Sequence, residues 1–306
     1  MARPLADPRL GGQRGRRPVR PPAGFSYIDA HTHLHPAWLS KAIRRWFAEH
    51  SDWKLTYPTE PERVVAILKE HGVERFVYFS YAHKPGIARE INRWLWETAK
   101  RLPDGIPLGT VHAADADPGG IAEEALSTYG FRGLKLHIQV QRFHPDDPRL
   151  LPVYERLVRL DRVLVIHVGN LIGAPGAGEY ARFERFVRVL DRFPELRASI
   201  CHMGAPGTTE CFELLAKYPG LYLDTTMAMS EAGLRSLGCA PVPATNELLI
   251  RWQDRILFGS DFPNIPYDYE EERRWAWERD LPLEVCRKIF NANARRFLGL
   301  DREGVE

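Results

Sequence analysis

The chain has 306 residues, of which 44% are hydrophobic and 27% charged, close to the globular averages of about 45–50% and 25%, which excludes wholesale disorder and fibrous repeats. Forty-two Lys and Arg against 40 Asp and Glu give a net charge of +2, too balanced for the folded body to be a dedicated binder of nucleic acid or anionic membrane. No run reaches the ~18–20 apolar residues of a membrane span and the N-terminus lacks the apolar core of a secretory signal, so a soluble cytoplasmic protein is expected.

Residues 1–24 carry Arg3, Arg9, Arg14, Arg16, Arg17 and Arg20 against Asp7 alone, interspersed with Pro and Gly. That composition predicts a flexible basic arm, read as a floppy extension rather than a nucleic-acid tether. Residues 25–306 are expected to form a single domain. Short β-branched and apolar runs recur there, predicting strands near Ser26–Ala30, Arg75–Ser80, Ile106–Val111, Gly133–His137, Val163–Val168, Ala198–Cys201, Leu221–Thr225 and Ile256–Gly259. Between them, amphipathic periodicity predicts helices over Glu60–His71, Gly86–Arg101, Gly119–Tyr129, Arg149–Leu160, Glu179–Phe193, Thr208–Tyr218 and Thr245–Trp252, with a last helix from Pro282 to about Phe297. Strands and helices alternating in this way predict an α/β protein with parallel βαβ units, closed as a (β/α)8 barrel.

An insertion at about 37–58, bounded by Pro36 and Pro58, holds Trp38, Trp46, Phe47, Trp53 and Tyr57. It is too long for an ordinary βα loop and reads as a lid or pocket wall, with a homodimer contact as the competing role. The four cysteines, Cys201, Cys211, Cys239 and Cys286, are scattered without a CxxC and read as reduced, mostly buried thiols.

Active sites of such barrels lie at the C-terminal ends of the strands. The first strand closes with Ile28-Asp29-Ala30-His31-Thr32-His33, and alternation sends His31 and His33 to the same side. The fifth ends in His167, the sixth leads into His202, and the eighth delivers Asp261. One histidine after an apolar strand is ordinarily a satisfied core residue; four strands ending in metal-ligand types argue for a metal. His112, Asp115, His137, Asn170 and Asn264 fall on the same predicted face, where His112, His137, Asn170 and Asn264 are candidates to bind substrate and also read as loop hydrogen-bonders or caps. Arg142 and His144 read as a solvated loop.

The sequence resembles the amidohydrolase superfamily, in its amidohydrolase-related branch that includes aminocarboxymuconate-semialdehyde decarboxylase-like enzymes. The resemblance rests on His31-Thr32-His33, His167 in Val-Ile-His-Val-Gly, His202 in Cys-His-Met-Gly and Asp261 in Phe-Gly-Ser-Asp-Phe-Pro, and runs from about Phe25 to Leu300. It implies a divalent metal on His31, His33, His167 and Asp261, with Asp261 also accepting a proton and His202 polarising the substrate or orienting water. The binuclear members use a modified bridging lysine; Lys135 is instead read as a free lysine beside a substrate anion. Imidazole and carboxylate ligands suit one Zn2+ ion, and Mn2+ or Fe2+ would accept the same set.

The main functional reading is hydrolysis of an amide, lactone or ester bond of a small molecule through metal-activated water. The alternative is a metal-dependent non-oxidative decarboxylase or related lyase acting on a small carboxylated substrate, for which Lys41, Arg44 or Arg45 of the insertion would hold the carboxylate. Neither membrane nor nucleic acid is expected as a partner.

Overall fold

The computed structural model describes residues 25–169, 178–240 and 242–302. The basic arm and Asn170 lie outside the described residues. Eight parallel strands appear in chain order: β1 (Tyr27–His33), β2 (Val73–Phe79), β3 (Gly105–Leu108), β4 (Gly133–His137), β5 (Val163–His167), β6 (Ala198–Ile200), β7 (Leu221–Asp224) and β8 (Ile256–Leu257). β1 to β3 form one run of ladders and β4 to β8 a second. Backbone bonds join the two at both seams. The Lys135 amide donates to the Gly109 carbonyl (2.7 Å) between β3 and β4, and the Ala30 amide to the Phe258 carbonyl (2.8 Å) between β8 and β1. The barrel is therefore closed, and among the described residues its eight strands leave no edge unpaired.

Residue parity divides the core into two shells. Phe76, Tyr78, Leu134, Leu136, Leu164 and Ile166 face outward into the helix layer. Val77, Phe79, Ile106, Leu108, Val163 and Val165 face inward and fill the barrel. Strands buried on both sides read as continuous apolar runs, which is why they stand out in the sequence. Ala294, Phe297, Leu298 and Leu300, at the end of the described chain, join the inner shell and plug the barrel's lower end, with Phe297 5.0 Å from Tyr222 between ring centroids.

The insertion is not a loop. Its first half is a helix, α1 (Ala37–His50), whose Leu39, Ile43 and Phe47 recur on one face; the aromatic content and flanking prolines mask that period in the sequence. Arg44 of α1 donates to the carbonyls of Leu55 and Tyr57, tying the helix to the extended half of the insertion. Helices over Glu231–Ser236 and Glu271–Glu278 were likewise not expected. The expected Gly119–Tyr129 helix is α-helical over Pro118–Glu123 and continues as a π turn over Glu124–Thr128. No helix among the described residues is long and apolar enough to cross a membrane.

Candidate metal centre

Strict alternation along β1 would not deliver both histidines to the barrel mouth, because Ile28 and Ala30 already face inward. The pairing with β2 slips by one residue between Asp29, opposite Phe76, and Thr32, opposite Tyr78. This bulge resets the parity, so that Thr32 bonds outward to the Val77 carbonyl while His31 and His33 each stand 4.9 Å from the inward Phe79 ring. β8 meets them from the other side. Gly259 leaves room for His31: a Cβ there would lie 2.7 Å from His31 Cβ. Two residues on, Asp261 sits in the left-handed region at φ +66°, a strained placement that Asp tolerates better than most residues.

These elements bring His33 Nε2 to 2.9 Å and His31 Nε2 to 3.0 Å from the same Asp261 oxygen. His31, His33 and Asp261 each present one ligand atom within 4.8 Å of the others. His31 Nε2, though 3.0 Å from Asp261, makes no well-aligned hydrogen bond, and His33 Nδ1 is buried without a partner. Two imidazoles and a carboxylate converging in this way, with the His31 nitrogen left unsatisfied, fit a divalent cation. Behind the group, His31 Nδ1 is 3.0 Å from Asp224 Oδ2, which orients the ring as a carboxylate behind a metal-bound imidazole does. Asp224 was missed in the sequence, although it ends β7 as the other candidates end their strands.

Burial pushes the Asp261 carboxyl up, but the flanking His33 and His31 outweigh it and hold it well below the usual range. Asp224 is likewise raised by burial and pulled down to about 2 by His31. Burial and the Lys135 charge depress His31, yet its Asp224 partner lifts it well above the ordinary value. Burial lowers His33 and takes His202 to about 4, and it holds His167 and His137 well below theirs. These four rings are accordingly neutral near pH 7, the form that binds a cation.

His167 stands outside the three-residue group and reaches it through His202, at 4.6 Å between ring centroids. It stacks on His137 at 4.0 Å, and both His167 Nε2 and His137 Nδ1 are buried without partners. His202, at φ +56°, donates from Nδ1 to the Thr226 carbonyl (3.0 Å), leaving Nε2 as an acceptor on the cavity wall.

The centre opens into a cavity of about 1200 Å³. Leu39, Ile43, Trp46 and Phe47 of α1, with Trp53, form one wall, so the insertion serves the pocket. Arg45 and Arg142 also line it, as do His137 and Asn264. Two expectations are corrected. Lys135 does not meet a substrate anion: it points into the barrel one layer below His137, fully buried, with Nζ 2.8 Å from Cys201 Sγ. His112 is not on the cavity wall; Nε2 donates to the Gln141 carbonyl and Nδ1 accepts from the Ala114 amide, so it braces a loop. Gln141, which the sequence did not flag, donates to the Ala82 and Val111 carbonyls and accepts from the His137 amide, tying three loops together.

The sequence model of the amidohydrolase family matches residues 28–300. Among solved structures, the chain is similar to an uncharacterised TIM-barrel protein from Bordetella bronchiseptica, at 22% identity and TM-score 0.67 over 90% of this chain and 98% of that one. It is also similar to 5-carboxyvanillate decarboxylase from Novosphingobium aromaticivorans, a structure holding manganese and 4-hydroxy-3-methoxy-5-nitrobenzoic acid, at 16% identity and TM-score 0.66 over 90% and 96%. A third similar structure is 4-oxalomesaconate hydratase from Rhodopseudomonas palustris, at 19% identity and TM-score 0.63 over 90% and 97%. These likenesses bear on the fold. The chain belongs to the amidohydrolase family of metal-dependent enzymes.

Proposed function

We propose that this member of the amidohydrolase family is a divalent-metal lyase that removes CO2 without oxidation from a small, planar, carboxylated substrate. The observation that carries the reading is the position of the His31–His33–Asp261 group at a cavity walled by aromatic rings and flanked by Arg45 and Arg142. Both guanidinium groups line the pocket, where either can meet a substrate carboxylate. The decarboxylase and hydratase among the similar structures support the lyase reading over the hydrolytic one expected from the sequence.

His31, His33 and Asp261 would hold the ion, with His167 beside them. A bound divalent ion supplies a Lewis acid that polarises a substrate oxygen. Manganese also accepts such a mixed imidazole–carboxylate set, though more weakly than zinc, and manganese is the ion in the decarboxylase structure. Trp46, Phe47 and Trp53 give the pocket an aromatic wall against which a planar ring can lie. His202 Nε2, fixed by the bond from Nδ1 to Thr226, can hold a proton or accept one from a substrate hydroxyl.

The test is metal analysis of the purified protein, followed by a screen of hydroxylated aromatic and dienoic carboxylates with CO2 release recorded separately from hydrolysis of lactones and amides. Metal-dependent CO2 release, abolished by a chelator and restored by Mn2+ or Zn2+, is expected. Turnover of a lactone or amide without any CO2 release would overturn the lyase reading and return the hydrolase.

A further inference from the structure

A second set of donors lies directly behind the first. His31, Cys201 and Asp224, all buried, each present one ligand atom within 4.8 Å of the others. Thiolate, imidazole and carboxylate together suit zinc, cobalt or cadmium. His31 belongs to both sets: Nε2 faces Asp261 and Nδ1 faces Asp224. By ligand type alone the centre could take two ions that share this imidazole.

One residue stands in the way. Lys135 enters from β4 with no exposed surface, donates from Nζ to Cys201 Sγ at 2.8 Å and lies 4.6 Å from the centroid of the Phe79 ring. Its ammonium charge acts on both His31 and Asp224, lowering the pKa of each. Lys135 already engages the sulfur through which Cys201 would bind a metal. A dication placed among the same ligands would face that ammonium in a low-dielectric interior.

We propose that Lys135 restricts this centre to a single ion by taking the place of a second cation among His31, Cys201 and Asp224. Lys135 is a positioning residue in this scheme and touches neither substrate nor the reacting atoms. The inference rests on the reading of His31, His33 and Asp261 as a metal site. Removal of the ammonium exposes a softer site. Cys201, Asp224 and His31 Nδ1 would hold an ion there, and its binding would release the Cys201 thiol proton and the His31 Nδ1 proton to solvent.

Full-length wild type, Lys135→Met and Lys135→Gln are dialysed against Co2+ and excess metal is removed. Bound cobalt is then counted by mass spectrometry, and the near-ultraviolet spectrum is read for thiolate-to-cobalt charge transfer. The wild type is expected to hold one ion without a thiolate band. Either lysine variant, shown to be folded by a cooperative urea transition, is expected to hold two ions and gain the band. Adding Cys201→Ser to the variant should remove both the band and the second ion. A wild type that binds no ion sinks the metal reading of the first site. A wild type with one ion whose folded lysine variants also hold one sinks the role of Lys135 alone. A wild type that already shows two ions or the thiolate band overturns the inference without recourse to any variant.

Discussion

Gly259→Ala should weaken metal binding although every ligand residue is kept. A Cβ at this position would lie 2.4 Å from Thr226 Oγ1 and 2.7 Å from His31 Cβ, where ordinary contacts begin at 3.4 Å. Restoring contact distance to His31 requires its Cβ to move by about 0.7 Å, more than the ~0.5 Å tolerance of a preorganised site. Overpacking of this size costs about 1–3 kcal/mol of stability. Disturbing the support of a metal-bound imidazole lowers affinity by about 10–100-fold. Competition with a fluorescent chelator measures the affinity and urea unfolding of the metal-free protein measures the stability. Gly130→Ala is the control: its φ of +68° strains any side chain, but nothing lies within 4 Å and it precedes β4, on the side away from His137. It should lose about 1 kcal/mol or more and keep its metal affinity. A folded Gly259→Ala protein with affinity within about twofold of wild type would refute the packing argument.

Three further outcomes are expected. Burial raises the Glu272 carboxyl from 4.5 to about 8, against the hydrogen bonds of Tyr267 and the Met227 amide. Folding therefore takes up a proton between those values, and stability falls as pH rises from about 4.5 through 8, by up to about 1.4 kcal/mol per unit. Urea midpoints at pH 5.5 and 8 should converge in Glu272→Gln relative to wild type, and an unchanged difference would remove Glu272 as the cause. Asp261→Asn and Asp261→Ala should both lose the metal, but the alanine should melt lower, since an Ala at φ +66° costs about 1–2 kcal/mol and Asn adopts it readily; equal melting temperatures would show that the backbone strain is relieved elsewhere. Arg44→Ala removes two bonds from α1 to the Leu55 and Tyr57 carbonyls, and limited proteolysis should then cut within residues 51–60 at least several-fold faster, an effect absent if the segment is held by its ring contacts alone.

Much of this was legible because buried parallel strands cannot hide: β4 runs from Gly133 to His137 and β5 begins at Val163, where the apolar runs place them. The histidines and Asp261 at strand ends were legible for the same reason. What the sequence does not carry is partnership. The slip in β1 that turns His31 and His33 inward exists only in its pairing with β2. Lys135 and His137 share a parity, and only depth in the barrel separates a residue at the cavity from one sealed beneath it. β8 is only two residues long because the Phe258 amide turns to the Ile289 carbonyl, a partner far along the chain. Asp224 was within reach, since a carboxylate closing an apolar strand is the same signal that marked Asp261.

The apolar stopper formed by Phe297, Leu298 and Leu300 has a bearing on turnover. With the floor shut, substrate and product share the doorway at the rim, where Trp46 and Phe47 form the jamb. A molecule entering or leaving passes α1, which Arg44 ties to Leu55 and Tyr57, so loosening that tie should alter the rate of departure more than the chemistry at the metal.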